Sequence, residues 1–517
     1  MITDTYMLPM RDSVRLATDL YLPEGDGPHP IILLRTPYGR WQMKGLAAVL
    51  TGGGYGLLVQ DVRGTGGSEG TFGLYAQEPP DALDLAEWLV GQPWCDGRLG
   101  ILGLSYCAGA AIPIAAAMPE RVKACIWVTV PISRDLLSWQ GGAMQLHHAA
   151  PWTMLLAEPP PLKARDWQSF YRTLPLAEMV PQSPVWRGLC EGVGAESPFW
   201  ASMDLSRYLD QVRAPGLHAG GWYDFILHAT LEPYRRMLAA SGAPQRLLVG
   251  PWSHNAILAA PEFQRAMFAW LDRWFHGRPD PSAPVTLYLT GEGEGSGWRD
   301  LAGWPAPDAV PQTLYLAEGR LQPEPPAGGS RHFRSDPDDP VPTQGGAVWE
   351  FPAARMGLEP GPAVQTTGER PDVLTFDTDP AEAPLPLCGE VEVALWASAS
   401  TPDADFAVKL CDVAPDGTAR YIADAILRAR YRHGMDRPEP LIPGEVYPLR
   451  LSMACAHLLA PGHRLRLEVA GSNFPKYDRN LHTGGDNLRA TAAEAVVAEQ
   501  VIWFGRSHVS LPVLGSR

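Results

Sequence analysis

Arg98-Leu-Gly-Ile-Leu-Gly103-Leu-Ser105-Tyr-Cys-Ala-Gly109 is a short apolar run that climbs to Gly103, sets a serine two residues on and passes into a helix of small residues. A strand that turns this sharply into a helix needs a glycine before the serine, because a side chain there would clash with the tight backbone. The serine oxygen is then held above the edge of a sheet, where a base can reach it. The usual pentapeptide is Gly-x-Ser-x-Gly, and Cys107 stands in its fifth position. The competing reading is a serine that only caps a helix.

The stretches on either side favour a sheet. Val14 to Leu22 alternates apolar and polar residues after the turn Asp12-Ser13, which predicts an antiparallel edge hairpin. Pro30–Leu34, Tyr55–Gln60, Ala124–Val130, Gly216–Ala219 and Arg246–Val249 are short continuous apolar runs, as in strands covered on both faces. Between them Glu78–Val90 and Pro261–Phe275 have helical spacing. This alternation predicts a mainly parallel sheet with helices on both faces, whose ligands sit beyond the carboxyl ends of the strands. Tyr38, Asp61 and Ser105 all fall there.

Between Ser133 and Tyr208 the strands stop. Trp139, Trp152, Trp167, Trp186 and Trp200 arrive among short helical patterns, which predicts a helical insertion over the site. Its aromatics are core by default, with substrate lining as the sharper alternative for the best placed. Past Pro281 short alternating segments recur between Pro, Gly and Asp clusters, predicting a β-sandwich of jelly-roll type. Ser330–Gly346 is expected to be a Pro- and Asp-rich loop. The expected organisation is therefore an α/β-hydrolase catalytic domain from 1–132 and 211–280, a helical cap insertion over 133–210, and an all-β jelly-roll domain over 281–517.

Composition narrows the partners. The 517 residues carry a formal charge of -15, which disfavours nucleic acid and anionic membrane surfaces. No basic leader followed by an apolar run opens the chain, and no stretch of about 18 apolar residues occurs, so a cytoplasmic protein is expected. The seven cysteines are scattered and never spaced as Cys-x-x-Cys, which fits reduced thiols used as small apolar residues and disfavours a structural zinc. A homo-oligomer is left open.

A serine hydroxyl needs a base to take its proton, and the base needs a carboxylate to orient it. On this fold they follow in the order Ser, Asp or Glu, His. Asp224 ends the strand after the insertion, and His254 ends the next, one βα unit later. Asp224 also suits a helix N-cap before Phe225. His147 and His148 are expected to be structural, since nothing nearby in sequence offers a partner. The amide of Tyr106 is a candidate oxyanion donor. The phenol of Tyr38 is either a second donor or a surface loop tyrosine behind Pro37.

These residues together resemble the X-Pro dipeptidyl-peptidase (S15) and cocaine esterase type of serine hydrolase, which also includes α-amino acid ester hydrolases and glutaryl acylases. Met10–Leu16, Arg35-Thr-Pro-Tyr38, Gln60-Asp-Val-Arg-Gly64, Gly103-Leu-Ser-Tyr106, Gly221-Trp-Tyr-Asp224 and Gly250-Pro-Trp-Ser-His254 are similar to its catalytic pattern. Asp336–Pro342, Pro371-Asp-Val-Leu374, Gly462–Arg466 and Asn473-Phe-Pro475 continue it in the β-rich part. The resemblance implies Ser105 as nucleophile, His254 as base, Asp224 as orienter, and Tyr38 with the Tyr106 amide as oxyanion hole. It also moves the second glycine one place on, to Ala108 here, with Gly109 next. The family's amino acid ester hydrolases place acidic residues two and three after the catalytic Asp, to hold an ammonium group. Ile226 and Leu227 stand there instead, so a cationic substrate is disfavoured. Trp139 and Trp152 are similar in placement to acyl-pocket aromatics of cocaine esterase-like members, and with Ile226 they are the expected substrate-binding residues. The expectation is a serine esterase for small-molecule esters with an apolar or aromatic acyl group, without metal or organic cofactor. The alternatives are an amide-cleaving acylase or dipeptidyl-peptidase, and a non-catalytic binding protein on the same fold.

Overall fold

The structure is a computed structural model that describes residues 3–157, 166–194 and 197–515. Its N-terminal half is organised by one twisted sheet. Asp4–Pro9 and Arg15–Tyr21 form the antiparallel edge hairpin, and Arg15–Tyr21 pairs antiparallel with Gly56–Asp61. From there the strands run parallel in the spatial order Gly56–Asp61, His29–Thr36, Cys95–Leu104, Val122–Val128, Gly216–Gly221, Gln245–Gly250 and Val285–Gly291. Strands in the middle of such a sheet are covered on both faces, and their side chains divide by alternation. Ile31, Leu33, Leu99 and Ile101 join one core with the helices Glu78–Val90 and Tyr106–Ala117. Ile32, Leu34, Leu102 and Ile126 join the opposite core with Lys44–Gly52 and Pro261–His276.

The described residues between Val122–Val128 and Gly216–Gly221 are mostly helical. Helices Leu146–Ala157, Trp167–Tyr171, Pro184–Leu189 and Pro198–Met203 pack their aromatics into the first core. The segment also carries strands, in a tight hairpin of Trp139–Gln140 with Ala143–Met144. A turn through Gly141 and Gly142, both with positive φ, lets two residues on each side pair at once.

The C-terminal half is β-rich. The long strands Leu385–Ala399, Tyr447–Leu459 and Ala498–Leu514 pair antiparallel with one another through Leu385–Ala399. Asp405–Val413, Ala419–Arg428 and Arg464–Ala470 form a second antiparallel set. Both sets feed one apolar core, with Val391, Val393 and Leu395 from the first and Phe406, Val408 and Leu467 from the second. Ser330–Ser335, inside the expected loop, is a strand along the edge of Ala498–Leu514. Its residues Ser-Arg-His-Phe-Arg-Ser are polar because only Phe333 and Ser335 turn inward. The two halves share backbone at Val285–Gly291, which pairs with Gln245–Gly250 on one side and with Tyr447–Leu459 at its end. Among the described residues no helix is long and apolar enough to cross a membrane. All seven cysteines are buried and unpaired.

Candidate active site

Ser105 follows the strand Cys95–Leu104 with φ 57° and ψ -124°, a strained left-handed conformation for a residue with a side chain. Its own amide bonds the carbonyl of Val128 at 2.8 Å, and its carbonyl receives the amide of Ala108 at 3.0 Å. These contacts hold the turn. A β-carbon on Gly103 would lie 2.3 Å from the Ala108 nitrogen, so only glycine fits there. The methyl of Ala108 is fully buried in the first core, and the close approach to Tyr75 and Ile132 is made at Gly109. The turn thus places its second tight glycine contact one residue beyond Ala108.

Beneath the turn the ring of Tyr106 stacks on Tyr75 at 4.5 Å, and its hydroxyl donates to Glu78 at 2.7 Å. Glu78 also forms a buried ion pair with Arg35, whose Nε donates to Gln60 at 3.0 Å. The Tyr106 side chain therefore anchors the turn from below, while its backbone amide opens the helix Tyr106–Ala117. An amide in the first turn of a helix has no partner within that helix. Cys107 is buried too, and desolvation pushes its thiol up to about 12, which keeps it protonated and unreactive.

His254 lies four residues beyond Gln245–Gly250, and Asp224 three beyond Gly216–Gly221. His254 Nδ1 stands 2.9 Å from Asp224 Oδ2. The other carboxylate oxygen receives the amide of Ile226 at 3.0 Å, so both lone-pair sides are held. Burial disfavours a charged imidazole, but the charge and hydrogen bond of Asp224, with a more distant contribution from Glu350, leave the His254 pKa raised. Glu350 comes from the C-terminal half and receives the Asn255 amide at 2.8 Å. It thereby ties down the loop that carries His254.

Ser105, His254 and Tyr38 line one cavity of about 620 Å³. Its walls are mostly aromatic and aliphatic, including Trp41, Trp152, Leu155, Phe225 and Trp349, with Gln42, Thr65, His148 and Asn255 as polar members, and none of its described lining residues is Asp, Glu, Lys or Arg. The indole of Trp152 donates to the Tyr38 hydroxyl at 3.1 Å, so the phenol's own proton is available to another acceptor. Burial raises the Tyr38 pKa well above that of a free phenol, which keeps that proton in place. A serine, an imidazole held by a carboxylate, and donors from a phenol and a helix-opening amide are the components of nucleophilic acyl transfer.

The remaining expected residues fall elsewhere. Trp139 is buried in the short hairpin and borders a different cavity, beside Arg428 and Leu488. Ile226 is fully buried and meets the site through its backbone amide alone. Asp61 serves its loop, accepting from the amides of Arg40 at 2.6 Å and Gly67 at 2.9 Å. Sequence reasoning did not single out Phe225, Trp349 or His148 as cavity walls. Trp349 belongs to the C-terminal half, and no local pattern marks its return to the catalytic half. Among the described residues, no cluster of three or more His, Cys, Asp or Glu is placed to hold a metal ion.

Known proteins match nearly the whole chain. The profile of the X-Pro dipeptidyl-peptidase (S15 family) matches residues 12–256, and that of the X-Pro dipeptidyl-peptidase C-terminal non-catalytic domain matches 277–510. The cocaine esterase of Rhodococcus sp. (strain MB1 Bresler) is 31% identical, over 99% of this chain and 98% of its own. The chain belongs to the X-Pro dipeptidyl-peptidase (S15) family. A putative serine esterase of Mycobacterium bovis is 26% identical over 90% of this chain and 89% of its own. Among solved structures, an α-amino acid ester hydrolase superposes with a TM-score of 0.88 at 27% identity, covering 99% of this chain and 96% of that one. An aminopeptidase from a marine sediment Thaumarchaeota archaeon superposes with the same TM-score of 0.88 at 25% identity, covering 99% and 96%. Within the family, the S15 catalytic unit precedes a β-rich non-catalytic one, which is the division between the two halves of this fold.

Proposed function

We propose that the protein is a serine hydrolase of carboxylic esters whose acyl group is apolar or aromatic. The observation that carries this reading is one cavity in which Ser105, Tyr38 and the Asp224-held His254 meet aromatic rings, with no Asp, Glu, Lys or Arg among its described lining residues. Ser105 Oγ attacks the ester carbonyl while His254 accepts its proton, and Asp224 stabilises the imidazolium that forms. The developing oxyanion is received by the Tyr38 hydroxyl and the Tyr106 amide. The alcohol leaves with the proton from His254, and water releases the acyl group by the same steps in reverse roles. The names of the cocaine esterase and serine esterase relatives support ester chemistry. The structural likeness to an aminopeptidase supports amide cleavage as the second reading. Against it stand the buried side chain of Ile226 and the described lining residues of the cavity, none of which is a carboxylate to receive a substrate ammonium.

The proposed organisation is a catalytic domain of 1–132 and 211–280, a helical cap over 133–210, and a jelly-roll domain over 281–517. The shared strand Val285–Gly291 is then the seam between catalytic and β-rich units. The test compares an aryl ester with the anilide of the same acid. Ester turnover well above anilide turnover, lost in Ser105→Ala, is expected. Faster anilide turnover assigns the protein to the amide-cleaving branch, and activity that survives Ser105→Ala removes the nucleophile.

A further inference from the structure

One polar wall of the Ser105 cavity takes no part in the chemistry above. His148 lies on the cap helix Leu146–Ala157, one turn before Trp152, and is 5% exposed. Its ring centre lies 5.6 Å from that of Trp152, 4.5 Å from that of Phe225 and 5.8 Å from that of Trp349, which it meets edge-to-face. Phe225 in turn lies 5.0 Å from the ring of His254, so one aromatic side chain separates the two histidines. The neighbouring His147 is engaged: it accepts the Trp349 amide at 3.4 Å and packs on Tyr171. His147 keeps an unpartnered Nε2, but only His148 of the two lines the cavity, and among the described residues its ring makes no hydrogen bond. Its Nδ1 is sealed from solvent, which leaves Nε2 as the nitrogen open to a ligand.

Burial, then the charges that His254 and His147 would carry, hold the His148 ring in its neutral form. A neutral imidazole has one donor and one acceptor, and aromatic neighbours satisfy its faces and edges but neither nitrogen. A phenylalanine would fill the same space without the cost of burying an unpaired polar ring. A positive partner would add charge beside the base, and none of the described lining residues is an Asp, Glu, Lys or Arg to receive a charged substrate group. What suits this wall is a neutral polar atom that arrives with the substrate.

We propose that His148 is a specificity residue that hydrogen-bonds a neutral polar atom on the acyl group, which selects esters of aromatic acids bearing a hydroxyl, a carbonyl or a ring nitrogen. This rests on Ser105 as nucleophile and on the Trp152 wall as the acyl side. The site then distinguishes functionalised aryl acids from hydrocarbon acids of the same shape, a discrimination that aromatic stacking alone does not supply.

The test uses phenyl esters of benzoic, 3-hydroxybenzoic and nicotinic acids, with each kcat/KM divided by the rate of hydroxide hydrolysis to remove intrinsic reactivity. The wild-type protein should favour one or both functionalised esters by about tenfold over the benzoate, the worth of a single neutral hydrogen bond. His148→Phe should bring the ratio of functionalised ester to benzoate down to about one, while His148→Gln, which keeps a donor and an acceptor, should restore part of it. No preference in the wild type, or the same preference in His148→Phe, overturns the proposal. So does a preference that follows polar groups placed on the alcohol instead of the acid. Should His148→Phe lose benzoate turnover through misfolding, the wild-type ratio and His148→Gln decide on the same terms. Wild-type protein that turns over none of the three, or turnover that survives Ser105→Ala, overturns the nucleophile reading itself and is thereby distinct from a failure confined to His148.

Discussion

His254 and His148 are each 5% exposed and line the same cavity, yet the two regions that carry them push the rings in opposite directions. His254 sits on a strand-end loop, where burial lowers its pKa but the charge and hydrogen bond of Asp224, itself held by the Ile226 amide, raise it above the ordinary value. His148 sits on the helix Leu146–Ala157 among Trp152, Phe225 and Trp349, where burial acts without a partner and the pKa falls well below that of a free imidazole. Dry surroundings alone therefore lower an imidazole's basicity. The strand ends supply aligned charge and hydrogen bonds, and the helix Leu146–Ala157 supplies shape and dryness.

Removing the carboxylate should collapse that difference. Asp224→Asn is expected to lower kcat by about 10⁴-fold, because the His254 ring loses both its orientation and its stabilising charge. The limb of kcat/KM that reports the free base should move to lower pH in the same variant. The sign follows from the raised pKa. The base works only when neutral, so wild-type kcat/KM should fall as pH drops through a midpoint above about 6.5, the ordinary imidazole value. A midpoint below that value would mean that burial outweighs Asp224.

Smaller effects separate the contributions of loop and cap. Tyr38→Phe should reduce kcat by about 10² to 10³ with little change in KM, as expected for a donor that acts chiefly on the oxyanion. Trp152→Phe keeps an aromatic wall but removes the indole donor to the Tyr38 hydroxyl, and a loss of about fivefold in kcat is expected. An equally large change in KM alone would place Trp152 purely in binding. Glu350→Gln retains an acceptor for the Asn255 amide and removes a distant charge. It should lower the kinetic midpoint by roughly a few tenths of a pH unit and leave kcat at the plateau nearly unchanged.

The same contrast explains what the sequence made legible. Strand ends are local: an apolar run that stops at Gly103, Gly221 or Gly250 predicts where a loop begins, and Tyr38, Ser105 and His254 come to line one cavity from such loops. Glu78–Val90 has the helical limits that its apolar spacing predicts, with Ala82, Leu85, Ala86 and Leu89 buried. The cavity walls are non-local. Trp349 comes from the C-terminal half and shares a core with Trp152 and Phe225, and nothing around it in sequence records that return. His148 looked structural because its neighbours are distant in sequence; in space it lines the cavity. Trp139 and Trp152 differ little in sequence context, yet only Trp152 borders the cavity of Ser105. Ala419–Arg428, with its Ala, Ile, Leu and Arg, has the composition of a helix and forms a strand between Asp405–Val413 and Val364–Gln365. There pairing on both sides overrides intrinsic preference.

The most direct measurement of the central claim is intact-protein mass spectrometry after incubation with a fluorophosphonate, followed by peptide mapping. The account predicts one phosphonyl adduct per chain, on the peptide that contains Ser105, and no adduct on Ser105→Ala. A wild-type protein that gains no mass, or an adduct that persists in Ser105→Ala, would contradict it.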